Sequence, residues 1–388
     1  VIDATGLGII IPTLPDLIAE TSNVDLNHSK MYAGYIAMTY AVMQFIFAPI
    51  VGGLSDRYGR RPVLLMALFG LSIDYVIMFY APSLFWLVIG RCISGMFGAS
   101  YSTATAYIAD ISTPETRTKN FGMVGAAFGV GFIIGPAIGG ILGDVGIRVP
   151  FLFAAGLSML NFIYGVFVLK ETLAPEHRRA FSLKRSNPIG SFIQILKYKD
   201  LANMFVVIFM YYLAGTAIQN TWVYLTKERF SWTELGVGIS LAVVGVCIAI
   251  VQGGLAGVFA KRWGDKKTAY MGLFVFFLAV IGIGFANHGW MLYALMLPYA
   301  FTGLAGPTIQ SIMSANTKSS EQGELQGSIT SIISLAEIIG PVLMLTLMDW
   351  TTVGMPERER IYGSPYFASA IIVLIGLFFF HRAMRNRA

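Results

Sequence analysis

Long apolar segments recur along this chain, and they limit its possible folds more than any other feature. About twelve segments of roughly 18 to 25 residues are dominated by apolar side chains, which is the length that an α-helix needs to cross about 30 Å of hydrocarbon. Only 12% of the 388 residues are charged, whereas a soluble domain carries about 25%. We therefore predict an all-α membrane protein with twelve transmembrane helices.

The predicted spans fall into two groups of six. The longest polar segment, residues 171–200, separates them. This division predicts an N-terminal six-helix half at 1–170, a cytoplasmic linker at 171–200 and a C-terminal six-helix half at 201–388. In the linker, Asn187 followed by Pro188 predicts a short helix on the inner membrane surface, and an unstructured tether is the alternative. The spans are 1–20, 32–54, 62–81, 84–109, 120–144, 150–170, 201–226, 234–260, 268–286, 290–315, 325–348 and 363–382.

The basic residues indicate an orientation. The formal net charge is +6, but Lys and Arg lie between spans and not on a soluble face, so the charge does not indicate nucleic acid. Most of them fall on one side if both termini are placed on that side. By the positive-inside rule, both termini are predicted to be cytoplasmic. Cys92 and Cys247 fall inside spans of different halves, so no disulfide framework is predicted.

The two halves repeat each other at an offset of 205 residues. Tyr58-Gly59 corresponds to Trp263-Gly264, and Gly135-Pro136 corresponds to Gly340-Pro341. Because this period is about half the chain, it describes two parallel six-helix repeats and not a solenoid. Such a pair of repeats predicts transport by rocking about a central site.

A polar loop, Gly52 to Pro62, joins the second and third spans and reads GGLSDRYGRRP. Its glycines let the backbone bend and let two helices approach closely. The loop resembles the G-x-x-x-D-R-x-G-R-R signature of the major facilitator superfamily, and the resemblance implies an inner gate. A charged cytoplasmic loop without a mechanical role is the alternative. The matching residues are Gly52, Asp56, Arg57, Gly59, Arg60 and Arg61.

The fifth span is unusually rich in glycine and contains GFIIGPAIGG. Glycine at this density lowers helix propensity and is useful where another helix comes very close, while proline adds a bend. The stretch resembles the G-x-x-x-G-P-x-x-G-G motif of the superfamily's antiporters, although generic helix packing is the alternative. The residues of this motif are Gly131, Gly135, Pro136, Gly139 and Gly140.

Ionisable residues inside spans are costly and indicate function. Asp3, Asp74, Arg91 and Glu337 are predicted to lie there. No histidine falls at mid-membrane, so we predict proton coupling through the carboxylates Asp3, Asp74 and Glu337. Arginine does not release its proton, so Arg91 would hold substrate or favour the charged form of a nearby carboxylate.

A charge cluster is predicted at the inner gate, where Asp56, Arg60 and Asp110 would tie three spans together. For Asp110, a helix-end carboxylate in water is the alternative. Uncharged polar and aromatic side chains predict a binding site for a planar amphipathic substrate. The predicted substrate-binding residues are Asp3, Gln44, Arg91, Tyr101, Gln219, Asn220, Gln252 and Gln310.

Several longer stretches are spread over both halves: DATGLGIIIPTLP from Asp3, SIDY, GRCISGMFGA, TWVYLTKERFSW and NTKSSEQGELQG. Through these stretches the whole chain resembles the tetracycline efflux pumps of the drug/proton antiporter group. The resemblance implies functional roles for Asp3, Gln44, Asp56, Arg60, Asp74, Arg91 and Gln252. The chain departs from the best-known pumps at Ile248, where they have histidine, and at Glu337, where they are uncharged.

We therefore predict a proton-coupled antiporter that exports a small amphipathic compound, tetracycline-like, across the bacterial cytoplasmic membrane by alternating access. An exporter or symporter of an unrelated metabolite is the alternative. No nucleotide-binding loop or catalytic cluster is found, so an enzyme is not predicted. The expected partners are the substrate, protons and the lipid bilayer, without nucleic acid, and a monomer is expected. No cofactor is expected, although a tetracycline substrate would enter as a metal chelate.

Overall fold

The computed structural model describes residues 1–26, 28–98, 101–111, 117–178, 181, 201–315 and 322–385. Within these residues the regular structure is helical, as the sequence predicts. The N-terminal helices are α1 (Ile2–Ile9), α2 (Leu14–Ser22), α3 (Lys30–Tyr58), α4 (Arg60–Tyr80), α5 (Leu84–Gly98), α6 (Tyr101–Asp110), α7 (Arg117–Val145) and α8 (Val149–Val168). The later helices are α9 (Ala202–Phe230), α10 (Glu234–Ile248), α11 (Ala256–Phe285), α12 (Gly289–Phe301), α13 (Ala305–Ala315), α14 (Gln322–Thr352) and α15 (Ser364–Arg385).

Many of these helices have the length and composition of membrane spans. Nine helical segments in the described ranges are long and apolar enough to cross a bilayer, and Leu84–Gly98 and Gly129–Val145 are shorter apolar helices. These findings establish a multi-pass membrane protein. The predicted count of twelve spans stays a prediction, and the predicted linker helix after Pro188 lies outside the described residues.

The first predicted span, 1–20, is not one continuous helix but is divided between α1 and α2. Residues 10–13 form a turn between α1 and α2, which contains Pro12, and Pro15 lies in the first turn of α2. Proline has no backbone N–H to donate, so it is tolerated at a helix start but interrupts a helix interior. The Leu14 N–H donates to the Ile10 carbonyl at 2.9 Å and holds this turn closed.

The boundary between the eighth and ninth spans is a kink at Gly264, which lies inside the predicted loop at 261–267. A π-helical segment, Ala249–Leu255, follows α10, and α11 then continues through the expected loop. Gly264 interrupts α11 with φ 76° and ψ 159°, a conformation that favours glycine. The expected corner is therefore a kink between two helical stretches. The tenth span is likewise divided by a 3-10 turn at Thr302–Leu304.

The described chain divides into two compact units. Unit 1 comprises Val1–Asp25, Thr39–Pro188 and Thr233–Ala242, and unit 2 comprises Leu26–Met38, Ile189–Trp232 and Val243–Ala388. Two helices pass from one unit to the other without a loop, α3 between Met38 and Thr39 and α10 between Ala242 and Val243. The predicted division at 171–200 stays a prediction.

Close helix packing organises each unit. In unit 1, α1 lies along α7, and α4 lies along α8. In unit 2, α9 packs against α14 and α15, and its core includes the fully buried residues Met204, Val207, Ala305 and Met313. The core side chains are mostly apolar, and the buried charged residues among those described include Lys30, Arg60, Asp74 and Arg91.

The backbone repeats at the offset that the sequence predicts. Gly59 and Gly264 both have positive φ, 103° and 76°. Pro136 and Pro341 both lie inside long helices, α7 and α14. Equivalent positions of the two repeats therefore share backbone geometry as well as residue type.

Candidate functional site

The corner between α3 and α4 gathers the predicted inner-gate charges around Arg60. The side chain of Arg60, only 11% exposed, contacts Asp56 Oδ1 at 2.6 Å and Asp110 Oδ2 at 3.2 Å. It also donates to Ser55 Oγ at 2.6 Å. Asp56 belongs to α3 and Asp110 ends α6, so one guanidinium connects three helices, and hydrogen bonds between charged groups are the stronger kind.

Glu171, which the sequence reasoning missed, completes this corner. Its carboxylate accepts the backbone N–H of Arg60 at 2.9 Å and that of Arg61 at 3.2 Å, at the first turn of α4. It also accepts the N–H groups of Thr172 and Leu173, each at 3.0 Å. A carboxylate at a helix N-terminus satisfies free N–H groups and is favoured by the helix dipole. The sequence does contain a signal that could have identified Glu171, because it is the first acidic residue after the sixth span.

These contacts also set the protonation of Glu171. Partial burial raises its pKa, but the N–H groups of Leu173, Arg60, Arg61 and Thr172 lower it, so the net pKa lies below the ordinary glutamate value. The carboxylate therefore stays charged while α4 is capped. The hydroxyl of Thr172 donates to Asp110 at 3.1 Å and joins the cap to the Arg60 cluster.

The other basic residues of the corner lie apart from this cluster. Arg57 is exposed and places its guanidinium 5.0 Å from the ring centre of Tyr58. Arg61 donates to the Val166 carbonyl at 2.7 Å. Gly52 contributes its carbonyl oxygen, which accepts the Ser55 hydroxyl at 2.8 Å. The structure therefore joins Asp56, Arg60 and Asp110, but not all three arginines.

A second charged pair lies deep in unit 1, between α4 and α5. Asp74 is 0% exposed, and its Oδ2 accepts a hydrogen bond from the Arg91 guanidinium. Asp74 Oδ1 and Arg91 Nε are buried without a hydrogen-bond partner among the described residues. Gly90 allows the approach, because a Cβ there would lie 2.7 Å from Asp74 Oδ1. The pair therefore retains unused hydrogen-bonding capacity in an apolar interior.

Other predicted residues of unit 1 are less informative. The amide of Gln44 donates to the Gly98 carbonyl at 3.4 Å, where α3 passes α5. The side chains of Asp3 and Tyr101 lie outside the described part of the chain. The predicted roles of these three residues stay predictions.

The glycines of α7 form close helix contacts on two sides. A Cβ at Gly135 would lie 2.7 Å from the Thr5 carbonyl oxygen in α1, and one at Gly131 would lie 2.5 Å from Ala4 Cβ. Gly139 likewise meets the Ile9 carbonyl. On another side, a Cβ at Gly140 would lie 2.6 Å from the Glu234 carbonyl oxygen, and the Pro136 carbonyl meets Gly238 of α10. Apart from Ala4 Cβ, these contacts are with backbone atoms, so a side chain at these positions would force helices apart.

In unit 2, Glu337 lies in α14 and is half-buried. The hydroxyl of Tyr212 in α9 is close enough to Glu337 to interact with it electrostatically. The same hydroxyl hydrogen-bonds to the Gln310 side chain of α13. The structure thus brings a predicted proton-coupling residue and a predicted substrate residue near one tyrosine. Tyr212 was not among the predicted substrate-binding residues.

The remaining predicted residues of unit 2 are dispersed. Gln219 is exposed on α9, and Asn220 donates to the Thr216 carbonyl at 2.9 Å on its own helix. Gln252 lies in the π-helical segment with its side chain against Gly303. Ile248 packs with the small buried cluster of Val251, Ala300 and Leu304. In the described residues, no three His, Cys, Asp or Glu side chains are placed to hold a metal ion.

Two helical units with repeated backbone features and membrane-length helices define the architecture of a multi-pass transporter. The chain belongs to the Major Facilitator Superfamily, whose profile matches residues 1–341 and, as a second match, residues 204–387. This membership establishes a membrane transporter and not an enzyme.

Curated relatives match the chain over nearly its whole length. A protein described as tetracycline resistance protein, class C, from Escherichia coli is 39% identical over 390 residues, covering 100% of this chain and 96% of the relative. The class B protein from Escherichia coli is 34% identical and covers 97% of this chain and 93% of the relative. Multidrug resistance protein 2 of Bacillus subtilis is 29% identical and covers 96% and 90%.

Solved structures share the fold at low sequence identity. The nucleoside transporter NupG has a TM-score of 0.77 and 13% identity, covering 99% of this chain and 96% of its own. A human organic anion transporter, TETRAN, has a TM-score of 0.73 and 22% identity, covering 98% and 96%. These similarities establish the major facilitator fold.

Proposed function

We propose that this protein exports a small amphipathic compound of the tetracycline type in exchange for protons, by alternating access. The full-length similarity to tetracycline resistance proteins of several classes supports the substrate class. The exported compound would cross a bacterial cytoplasmic membrane, with both termini of the protein in the cytoplasm and the protein acting as a monomer.

The Asp74–Arg91 pair is the observation that carries the proton-coupling proposal. A fully buried carboxylate is costly unless it is paired or protonated. Arg91 stabilises the charged form, and a proton arriving at Asp74 would release this pairing. Asp74 Oδ1 accepts no hydrogen bond in the described part of the chain, although the Ser94 hydroxyl lies beside the carboxyl group, so a proton or a substrate donor could bind Oδ1 without breaking a protein hydrogen bond. Glu337 and Asp3 are the other proposed proton-coupling residues.

The Arg60 cluster is the proposed inner gate. It links the starts and ends of three helices through charged side chains, and such links can break and re-form as helices move. The α7 glycines would guide this motion, because they let α1 and α10 lie against α7 with backbone in contact. In this proposal the gate controls access, whereas Asp74 and Arg91 control coupling.

Substrate contacts are proposed for Asp3, Gln44, Arg91, Tyr101, Gln219, Asn220, Gln252 and Gln310. The Tyr212–Gln310 hydrogen bond beside Glu337 supports a polar region in unit 2. No cofactor is proposed. A tetracycline would enter as a chelate with a divalent cation, which would be part of the substrate.

Export of an unrelated metabolite is the second candidate, and the residues that depart from the best-known pumps favour it. Ile248 is apolar, and Glu337 adds an acid inside α14. If Ile248 and Glu337 lie near the substrate, these two changes would alter which compound is exported while the protein remained an exporter.

The test uses the purified protein in proteoliposomes with an acidic interior. Tetracycline uptake and proton exit are recorded together, and Asp3→Asn and Asp74→Asn are compared with wild type. The proposal expects the two fluxes to rise together in wild type and to be lost in Asp74→Asn. Proton-tight vesicles that move no tetracycline would refute this substrate, and uptake without proton exit would refute antiport.

A further inference from the structure

The corner within α11 carries charges opposite to those of the Arg60 corner in unit 1. At the offset of 205 residues, Asp56 corresponds to Lys261 and Arg60 corresponds to Asp265. Asp265 accepts a hydrogen bond from Ser311 Oγ at 2.5 Å, which connects α11 to α13. The residue that ties the corner to a neighbouring helix is therefore an arginine in one repeat and an aspartate in the other.

This exchange leaves the basic residues of the α11 corner at the surface. Lys261, Arg262, Lys266 and Lys267 are all exposed, whereas Arg60 in unit 1 is buried within its ion-pair cluster. The charges of the α11 corner therefore face outward, where they can meet a partner that is not part of the protein.

The end of α15 brings further basic side chains to the same place. The Tyr270 hydroxyl of α11 lies 3.1 Å from His381 Nδ1 of α15, within hydrogen-bond distance, and α11 packs along α15. Lys267 lies one turn from Tyr270 on α11, while Arg382 and Arg385 belong to the last turn of α15. The basic residues on both sides of this hydrogen bond are exposed. We define the α11–α15 basic cluster as Lys266, Lys267, His381, Arg382 and Arg385.

Exposed apolar side chains continue from this cluster along both helices. On α11, Phe274 and Leu278 follow Tyr270 at intervals of four residues, and they are 53% and 50% exposed. On α15, Phe378 and Leu374 precede the cluster four residues apart, and they are 63% and 46% exposed. Residues three or four apart lie on one face of a helix. The cluster is thus the charged end of an apolar surface and not an isolated patch.

The chemistry of this surface matches an anionic phospholipid. Arg and Lys donate strong hydrogen bonds to phosphate oxygens, and basic clusters at the cytoplasmic ends of transmembrane helices attract anionic headgroups. The positive-inside rule places this end of α11 and α15 at the cytoplasmic surface. The apolar faces would receive the acyl chains, from which a free phosphate ion would gain nothing.

We propose that the α11–α15 basic cluster binds the phosphate headgroup of an anionic phospholipid, whose acyl chains lie along the exposed apolar faces of α11 and α15. The Tyr270 hydroxyl holds His381 beside the headgroup. The site lies apart from the proposed gate and coupling residues, so the inference goes beyond the transport proposal. A solvated basic surface that attracts anionic lipids without a defined site is the competing explanation.

The test measures lipid binding by the purified protein. Native mass spectrometry in detergent titrates phosphatidylglycerol and, separately, phosphatidylethanolamine with the same acyl chains. The proposal expects saturable binding that is tighter for phosphatidylglycerol. Lys267→Gln combined with Arg382→Gln should lower the affinity on the order of tenfold, because each basic residue near the surface contributes to headgroup attraction. Phe378→Ser should weaken binding severalfold without changing the charge.

A matched control removes the same number of positive charges elsewhere. Lys170 and Arg178 are exposed residues of unit 1, and Lys170→Gln combined with Arg178→Gln should keep the wild-type affinity. Equal losses in the two double variants, or equal binding of the two lipids, would overturn the site. Displacement of the lipid by the same concentration of inorganic phosphate would show a simple anion site and overturn the lipid assignment. Binding requires neither tetracycline nor a pH gradient, so the result is independent of the transport proposal.

Discussion

Arg60 shows how one side chain can serve three helices. It reaches Asp56 on α3 and Asp110 on α6, while its own backbone N–H begins α4 and donates to Glu171. The guanidinium contacts Asp56 and Asp110, whereas the backbone N–H donates to the carboxylate that caps α4. Arg60 therefore belongs both to the charge cluster and to the helix cap. A change at any of these acids should therefore affect the whole corner.

The Glu171 cap gives a prediction with a defined pH dependence. The folded-state pKa of Glu171 is lowered, so its contribution to stability is fully present above the ordinary glutamate pKa and is lost as pH falls through the lowered value. Glu171→Gln should destabilise the protein by about 0.5–1 kcal/mol near neutral pH, since the site is exposed. Thermal unfolding of both proteins from neutral to strongly acidic pH measures this difference.

The difference between wild type and Glu171→Gln should shrink on acidification. The exposed Glu176 serves as a control, and Glu176→Gln should follow wild type throughout. A gap that stays constant down to strongly acidic pH would contradict the capping role.

Gly59 differs from Gly264 in what surrounds it. Its φ of 103° is unfavourable for other residues, and a Cβ would collide with the Glu171 carboxylate. Gly264 has a similar backbone conformation but nothing within 4 Å of a Cβ. Both alanine variants should lose about 1–3 kcal/mol from backbone strain, and Gly59→Ala should lose more. Thermal unfolding in detergent compares them, and equal losses would show that the Glu171 contact is unimportant.

The sequence predicted some residue-level contacts and not others. Asp56 and Arg60 are four residues apart across one loop, and Asp110 ends a span on the same predicted side, so their meeting followed from topology. The pairing of Arg91 with Asp74 did not follow, because it depends on the rotation of two helices about their axes. Glu171 was missed because a cap is set by the direction of one short turn after α8.

Among the helices, α7 illustrates how a composition becomes a contact surface. Its glycines place backbone against α1 on one side and against α10 on another. The sequence predicted that a helix would come close, but it could not identify which helix. The break at residues 10–13 and the π-helical segment at 249–255 were also missed, since both depend on local hydrogen bonding within otherwise apolar stretches.

Two glycines of α7 provide a matched pair for the third prediction. A Cβ at Gly135 would lie 2.7 Å from the Thr5 carbonyl oxygen, whereas one at Gly129 meets nothing within 4 Å. Gly135→Ala should cost about 1–3 kcal/mol through overpacking and should slow transport. Gly129→Ala should be neutral or stabilising by up to about 1 kcal/mol, because alanine is the better helix former.

Thermal unfolding and the rate of tetracycline uptake measure both variants. Equal behaviour of Gly135→Ala and Gly129→Ala would contradict the close approach of α1 to α7. Loss of transport in Gly129→Ala but not in Gly135→Ala would contradict the assignment of Gly135, and not Gly129, to the surface of α7 that contacts α1.

For the molecule as a whole, the repeat of 205 residues that the sequence predicts is visible in the backbone. Gly59 and Gly264 share positive φ, and Pro136 and Pro341 share a place inside long helices. The long apolar segments predicted the membrane class and the helical fold, and the sequence motifs predicted the family. They did not predict that α3 and α10 each pass from one unit to the other, because the limits of a packed unit depend on tertiary contacts.

We propose that a buried carboxylate, Asp74 held by Arg91, couples proton movement to export. Loss of this coupling would separate two activities that the proposal assigns to wild type. Exchange of external for internal tetracycline requires only binding and rearrangement, whereas accumulation driven by a pH gradient also requires proton transfer. Asp74→Asn removes the titratable group but keeps a similar shape.

The decisive measurement compares these two activities in proteoliposomes containing wild type or Asp74→Asn. We predict that Asp74→Asn retains tetracycline exchange without a pH gradient and loses accumulation when the interior is acidic. Full pH-driven accumulation by Asp74→Asn would contradict a coupling role for Asp74, because a side chain that cannot bind a proton would then still support coupled export.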